Sequence, residues 1–236
     1  MKNKRLSPAE KAHRTRQRLY RKIRSGITIL DCTLKTKEKC SEGMFLKSYM
    51  DIINHQLRAF NEPPVYCYFK HVRSPDALRF ELRYAYTYTI HISAHGFRDE
   101  TTNQTCLGVG NSAFTLNHLK GVWEDRPPED KPLLIVLSAC EAGHIDLIKA
   151  LAEEGCRYCI APTFPTDWHK AALFSALFYT YLFLGERVRW CRPGDKLKPK
   201  RMMPTTAFKK AKDRLPELTG WWKMFDNGKE VQWTIT

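Results

Sequence analysis

From residue 27 to residue 186, short apolar runs alternate five times with stretches of helical periodicity. The runs are ITILDCTL, PVYCYFKHV, TYTIHISAHG, LLIVLSAC and CRYCIAP. Between and after them lie SEGMFLKSYMDIINHQLRAF, SPDALRFELRYA, GHIDLIKALAEEG and TDWHKAALFSALFYTYLFLGE. Short runs separated by amphipathic helices predict parallel strands, and the continuous, branched run Leu133 to Leu137 predicts a strand buried on both faces. The fold class expected is therefore α/β, with a mostly parallel central sheet and helices on both faces.

The ends of two runs carry chemistry. Leu133 to Leu137 is continuously apolar, then the run stops on Ser138, Ala139 and Cys140 before Glu141, Ala142 and Gly143. Ile145, Leu147, Ile148 and Leu151 then repeat at helical spacing. Cys140 is thus expected at the carboxyl end of a strand, in the turn to a helix, where open α/β sheets bind ligands. The run before it stops on His95-Gly96. If the two strands are neighbours, an imidazole and a thiol share one edge, and a thiol needs such a partner to act as a nucleophile. Gly96 lets a substrate carbonyl approach its backbone N–H closely. His91, His144 and His169 are expected elsewhere: a packed or hydrogen-bonded core group inside a strand, the start of a helix and the last long helix.

The charge is uneven. Residues 1–26 carry ten Lys/Arg against one Glu, residues 187–236 thirteen basic against five acidic, and the stretch between is slightly acidic. The first of these, residues 1–25, is expected to be a basic helix opened by a capping box of Ser7, Pro8 and Glu10 and ended by Gly26. Residues 26–236 are expected to form one domain, with a basic loop at 187–204 and a terminal hairpin at 221–236 around an Asn-Gly turn. Such ends suit nucleic acid or an acidic partner. No apolar run is long enough to span a membrane. Eight scattered cysteines and a start without an apolar segment point to a reducing, cytoplasmic setting. Cys156 and Cys159 form the sole CxxC, in an expected strand that faces them to opposite sides, so no metal site is expected there.

Three segments together carry a resemblance: ISAHG (Ile92 to Gly96), LLIVLSACEAG (Leu133 to Gly143) and IAPTFPTDWHKAALFSALFYTYLFLGE (Ile160 to Glu186). In this order they resemble caspase-like cysteine peptidases, most of all the CHAT branch, with separase more distant. The resemblance implies a small hairpin insertion after the histidine strand. It implies Cys140 as nucleophile, His95 as acid/base partner, and the N–H groups of Gly96 and Cys140 around the oxyanion. It also implies that Asp167 faces the pocket for the residue before the cut and selects Arg or Lys; the other reading of Asp167 is a helix cap. Asp31, at the end of the first strand run, is a second candidate for the pocket wall, and Ser138 stands where metacaspases carry an aspartate, so that route to basic specificity is absent. The implied activity is that of an endopeptidase acting on a protein substrate, with no cofactor. It would be a regulated prokaryotic immune or cell-death protease, awakened by a sensor protein or by proteolysis at Arg187 to Arg201. The rival expectation is an inert caspase-like module whose basic ends hold nucleic acid or an acidic partner.

Overall fold

The computed structural model describes residues 22–33, 41–186 and 201–233, together with Arg14, Thr15 and Arg18. The capping box at Ser7 and Glu10 and the basic stretch 187–200 lie outside the described residues. Five parallel strands form the body of a seven-stranded sheet: β1 (Gly26–Asp31), β2 (Tyr66–His71), β3 (Thr89–Ser93), β7 (Leu134–Ser138) and β8 (Tyr158–Pro162). Two further strands, β9 (Trp222–Asp226) and β10 (Lys229–Glu230), complete it in the order β10-β9-β8-β7-β3-β1-β2. β9 runs antiparallel to β8. The terminal hairpin is therefore part of the main sheet. Its Asn227 and Gly228 both have positive φ (49° and 75°), as a two-residue hairpin turn requires.

The alternating periodicity reflects two apolar layers. On one face Ile27, Ile29, Val136 and Ile160 pack under α1 (Glu42–Ala59), α5 (Trp168–Tyr179) and α6 (Pro204–Arg214). On the other, Leu30, Ile90, Ile92, Ile135 and Leu137 pack under α2 (Pro75–Tyr84), α3 (Leu116–Leu119) and α4 (Ile145–Glu153). A four-residue helix, α7 (Pro216–Thr219), leads into β9. Capping fixes the helix starts. Ser41 accepts the Met44 N–H at 3.2 Å to open α1, and Ser74, followed by Pro75, accepts the Ala77 N–H at 3.2 Å to open α2. The long apolar helix ends in a π-helical turn (Thr180–Leu184) closed by Gly185 at φ 77°.

Three expectations need correction. The insertion after β3 is a three-stranded antiparallel sheet, β4 (His95–Arg98), β5 (Thr105–Val109) and β6 (Ser112–Phe114), where a hairpin was expected. Its third strand is too short for its alternation to show in the sequence. Gly26 opens β1 and does not merely end a helix. β8 begins at Tyr158, so Cys156 precedes the strand, and both Cys156 and Cys159 lie in the same apolar layer.

The carboxyl edge is where this topology matters. β1 and β2 extend the sheet one way, while β3, β7 and β8 extend it the other, so the order reverses between β1 and β3. Such switch points leave a crevice at the strand ends. Asn54 of α1 braces the chain entering β2: its amide donates to the Val65 carbonyl at 2.9 Å and accepts the Val65 N–H at 2.7 Å, all buried. Asn54→Ala leaves both backbone groups unpaired, each worth about 1–3 kcal/mol. Urea unfolding of this variant is expected to show a loss of about 2–6 kcal/mol with an unchanged m-value.

Candidate active site

β3 and β7 are paired in register, Ser93 opposite Ser138, and the Ala94 N–H continues the ladder to the Ser138 carbonyl at 3.1 Å. His95 and Cys140 each follow two residues after that last pair, so the two chains leave the sheet side by side. The contact between them is backbone on backbone. A Cβ placed on Gly96 would stand 1.7 Å from the Cys140 carbonyl oxygen and 2.9 Å from its nitrogen. His95 starts β4, opposite Gly108, where an added Cβ would stand 3.3 Å from the histidine Cβ. His95 is exposed and Cys140 half-buried.

The cysteine turn is tightly constrained. Glu141 takes a left-handed conformation at φ 57°, uncommon for a residue with a side chain. The Ala142 N–H returns to the Ala139 carbonyl at 3.2 Å, and the Gly143 N–H reaches the Pro162 carbonyl at the end of β8 at 2.8 Å. The Cys140 thiol faces the Thr166 carbonyl, with Sγ···O 3.6 Å. This places the chain just before α5, and hence Asp167, beside the cysteine.

Asp167 takes the helix-cap role that was its alternative reading. Its carboxylate accepts the Lys170 N–H at 3.0 Å and lies 3.3 Å from the Lys170 ammonium. The Lys170 backbone N–H, and after it the Lys170 side chain, hold this half-exposed carboxyl below the usual carboxylate range. Asp31 is fully buried at the end of β1. It accepts the Thr33 N–H at 3.1 Å, the Thr33 hydroxyl at 2.6 Å and the Ser41 hydroxyl, and lies 3.2 Å from the His71 imidazole. Its carboxylate thereby ties β1 to the start of α1 and the end of β2. Register places Asp31, Ser93 and Ser138 in one row on the same face of the sheet. The Ser138 hydroxyl is buried and has no hydrogen-bond partner among the described residues.

Burial raises Cys32, Cys106 and Cys159, pushes Cys67 up to about 11 and pushes Cys156 up to about 12. Thiols raised in this way are poor nucleophiles near neutral pH. Cys40 and Cys191 lie outside the described residues.

His91 is the buried, hydrogen-bonded core group expected of it, but sequence reasoning missed the polar partners around it just under this edge. His91 of β3 is fully buried. Its Nδ1 meets the Tyr179 hydroxyl at 2.8 Å, and its Nε2 meets Ser93 Oγ at 3.1 Å and Glu42 Oε1 at 3.3 Å. Ser175 donates to the same Glu42 oxygen at 3.5 Å. The only local signal was a histidine inside an otherwise apolar strand. Its partners come from α1 and α5. Among the described residues no group of His, Cys, Asp and Glu is arranged to hold a metal ion. Among them, too, no helix is long and apolar enough to cross a membrane.

Together these features define a mixed α/β protein whose mostly parallel sheet presents a cysteine and a histidine at its carboxyl edge. No protein-family profile and no curated protein matches the chain. A solved structure similar to it is that of the Arg-specific cysteine proteinase gingipain R. The two are 13% identical with a TM-score of 0.48, over 90% of this chain and 49% of that one. The chain thus spans about half the length of that protein.

The Gly96 contact leaves no space for a side chain. In Gly96→Ala the new methyl overlaps the Cys140 carbonyl, so the two strand ends must part. Thermal unfolding is expected to fall by several degrees, in line with a loss of about 1–3 kcal/mol for overpacking. Alkylation of Cys140 at pH 7, followed by mass spectrometry, is expected to change rate in the same variant.

Proposed function

We propose that the chain is a caspase-like cysteine endopeptidase with Cys140 as nucleophile and His95 as acid/base partner. The observation that carries this reading is the Gly96–Cys140 backbone contact beside the in-register ends of β3 and β7. In this reading a thiol, an imidazole and two backbone N–H groups share one partly open edge. The reaction is acyl transfer. The Cys140 sulfur attacks the scissile carbonyl carbon, its proton having passed to His95. The oxyanion is held by the N–H groups of Gly96 and Cys140. His95 then gives the proton to the departing amine as the C–N bond breaks, and water, deprotonated by His95, hydrolyses the thioester.

We assign cleavage after Arg or Lys. Asp167 supports this, because it follows the Thr166 carbonyl that faces the thiol and is half-exposed. Asp31 and Ser138 share a row of the sheet with Ser93, but both are buried and the oxygens of Asp31 are held by Thr33, Ser41 and His71, so in this reading Asp167 alone supplies the acid of the pocket. A charge-assisted contact to a guanidinium contributes about 1.5–3 kcal/mol. The CHAT-type assignment, the immune or cell-death role, the sensor protein and activation by nicking at 187–201 belong to the same proposal and rest on the sequence resemblance.

A mixed peptide library tests it, incubated with the wild-type chain before and after light trypsin treatment. Cleavage after Arg or Lys that disappears in Cys140→Ala is expected. Asp167→Asn is expected to lower kcat/KM on Arg substrates by about 10-fold or more, in line with the loss of one such contact, with little effect on the residual turnover of citrulline analogues. Cutting after acidic or large apolar residues would contradict the Arg/Lys assignment. Cleavage that persists in Cys140→Ala would overturn the mechanism. Salt-dependent binding of nucleic acid with no cleavage under either condition would favour the binding-module reading.

A further inference from the structure

Far from the cysteine edge, four of the exposed large hydrophobic side chains of this chain gather around one cleft. Tyr66, at the start of β2, is 58% exposed; Phe80 and Tyr84, on α2, are 59% and 50% exposed; Tyr86 is 91% exposed. With Tyr68, Thr28, Ala85 and Glu81 they line a cleft of about 340 Å³. Register explains the grouping. Tyr66 and Tyr68 pair with Gly26 and Thr28, and so point to the face covered by α2. α2 runs back toward the amino ends of the strands, opposite the edge that bears Cys140. The Phe80 and Tyr84 rings lie 4.7 Å apart, tilted at 52°.

One carboxylate is set among these rings. Glu81 is half-buried. Burial raises the Tyr68 phenol, and the charge of Glu81 together with a hydrogen bond to it raises it further. Among the described residues, Glu81 has no ion-pair partner. None of the described cations that stack on rings uses a ring of this cleft; they lie over Tyr88, Phe69, Tyr158 and Phe208. In a chain with 39 Lys/Arg against 25 Asp/Glu, an aromatic cleft whose acid has no ion-pair partner among the described residues is a local inversion of charge. Ring faces and a carboxylate around one small space select a cation: the faces attract it by their quadrupoles, and the acid bonds it directly.

We propose that this cleft binds the cationic side chain, Arg or Lys, of a basic segment on a partner protein. The chain's own basic N-terminal segment is not the assigned occupant. Where it enters the sheet, Lys22 is committed elsewhere, 4.5 Å over the Tyr88 ring and 3.7 Å from Asp130. The site is independent of the proposed peptidase chemistry and persists if that reading fails.

Isothermal titration tests it, using the full chain with Cys140→Ala so that no peptide is cut, at low ionic strength. The probe is the blocked peptide acetyl-Gly-Gly-Arg-Gly-Gly-amide, and its control carries citrulline in place of arginine. The expected result is saturable binding of the Arg peptide that weakens at least 5-fold in Glu81→Gln and in Tyr86→Ala, and at least 5-fold with citrulline. Tyr86 is almost wholly exposed, so its change does not threaten folding. Binding at the cysteine edge is untouched by these two variants, so their specific loss reports the cleft. Unchanged affinity in both variants, equal affinity for citrulline, or no binding at 1 mM peptide would overturn the proposal. So would tighter binding when Lys2, Lys4, Arg5 and Lys11 are all changed to Gln, because the chain's own segment would then be the occupant.

Discussion

The backbone of Gly96 lies against the peptide of Cys140 so closely that a methyl group there would stand 1.7 Å from the carbonyl oxygen. That contact exists because β3 and β7 are adjacent, parallel and in register to their last pair, Ser93 and Ser138. A shift of one residue in either strand would turn His95 or Cys140 to the other side, since side chains alternate along a strand. The two apolar layers hold the register, because Ile135 and Leu137 must face one set of helices while Leu134 and Val136 face the other. The chemistry at the edge is therefore an outcome of core packing.

Below that edge the sheet is polar where a core is normally apolar. Asp31 joins β1 to α1 and β2, and His91 joins β3 to α1 and α5 through Glu42 and Tyr179. Buried polar groups are costly unless fully paired, and a satisfied network specifies one arrangement of the elements that supply it. Here these contacts tie together the strands and helices whose ends surround the crevice. They fix where β3 ends relative to the helices above it. The Ser138 hydroxyl, in the same row, has no partner among the described residues.

Four of the five parallel strands were legible because β1, β3, β7 and β8 are buried on both faces, which leaves short apolar runs; β2 is an edge strand with Tyr66, Lys70 and His71 exposed. Two helix starts that the periodicity located are fixed by capping serines followed by an acidic or proline residue, Ser41 and Ser74. β6, three residues long, gave no pattern. The CxxC misled because Cys156 lies ahead of β8, so strand alternation does not apply to it. The placement of His95 and Cys140 at strand ends followed from local punctuation, but their adjacency depends on strand order, which no local signal encodes. Asp31 was visible as an acid ending a strand; that it is sealed beneath Ser41 and His71 depends on residues 10 and 40 positions away. The aromatic cleft was invisible for the same reason, since β2 and α2 contribute its rings at unrelated spacings.

The shared edge of His95 and Cys140 is the claim on which the functional reading stands. The most direct measurement is covalent labelling by an arginyl chloromethyl ketone at pH 7, mapped by mass spectrometry, in the wild-type chain and in His95→Ala. The expected result is an adduct confined to Cys140 that forms about 100-fold or more slowly in His95→Ala, the scale on which a positioned acid/base group acts. An adduct spread over other cysteines, or one that forms on Cys140 at the same rate without His95, would contradict the dyad.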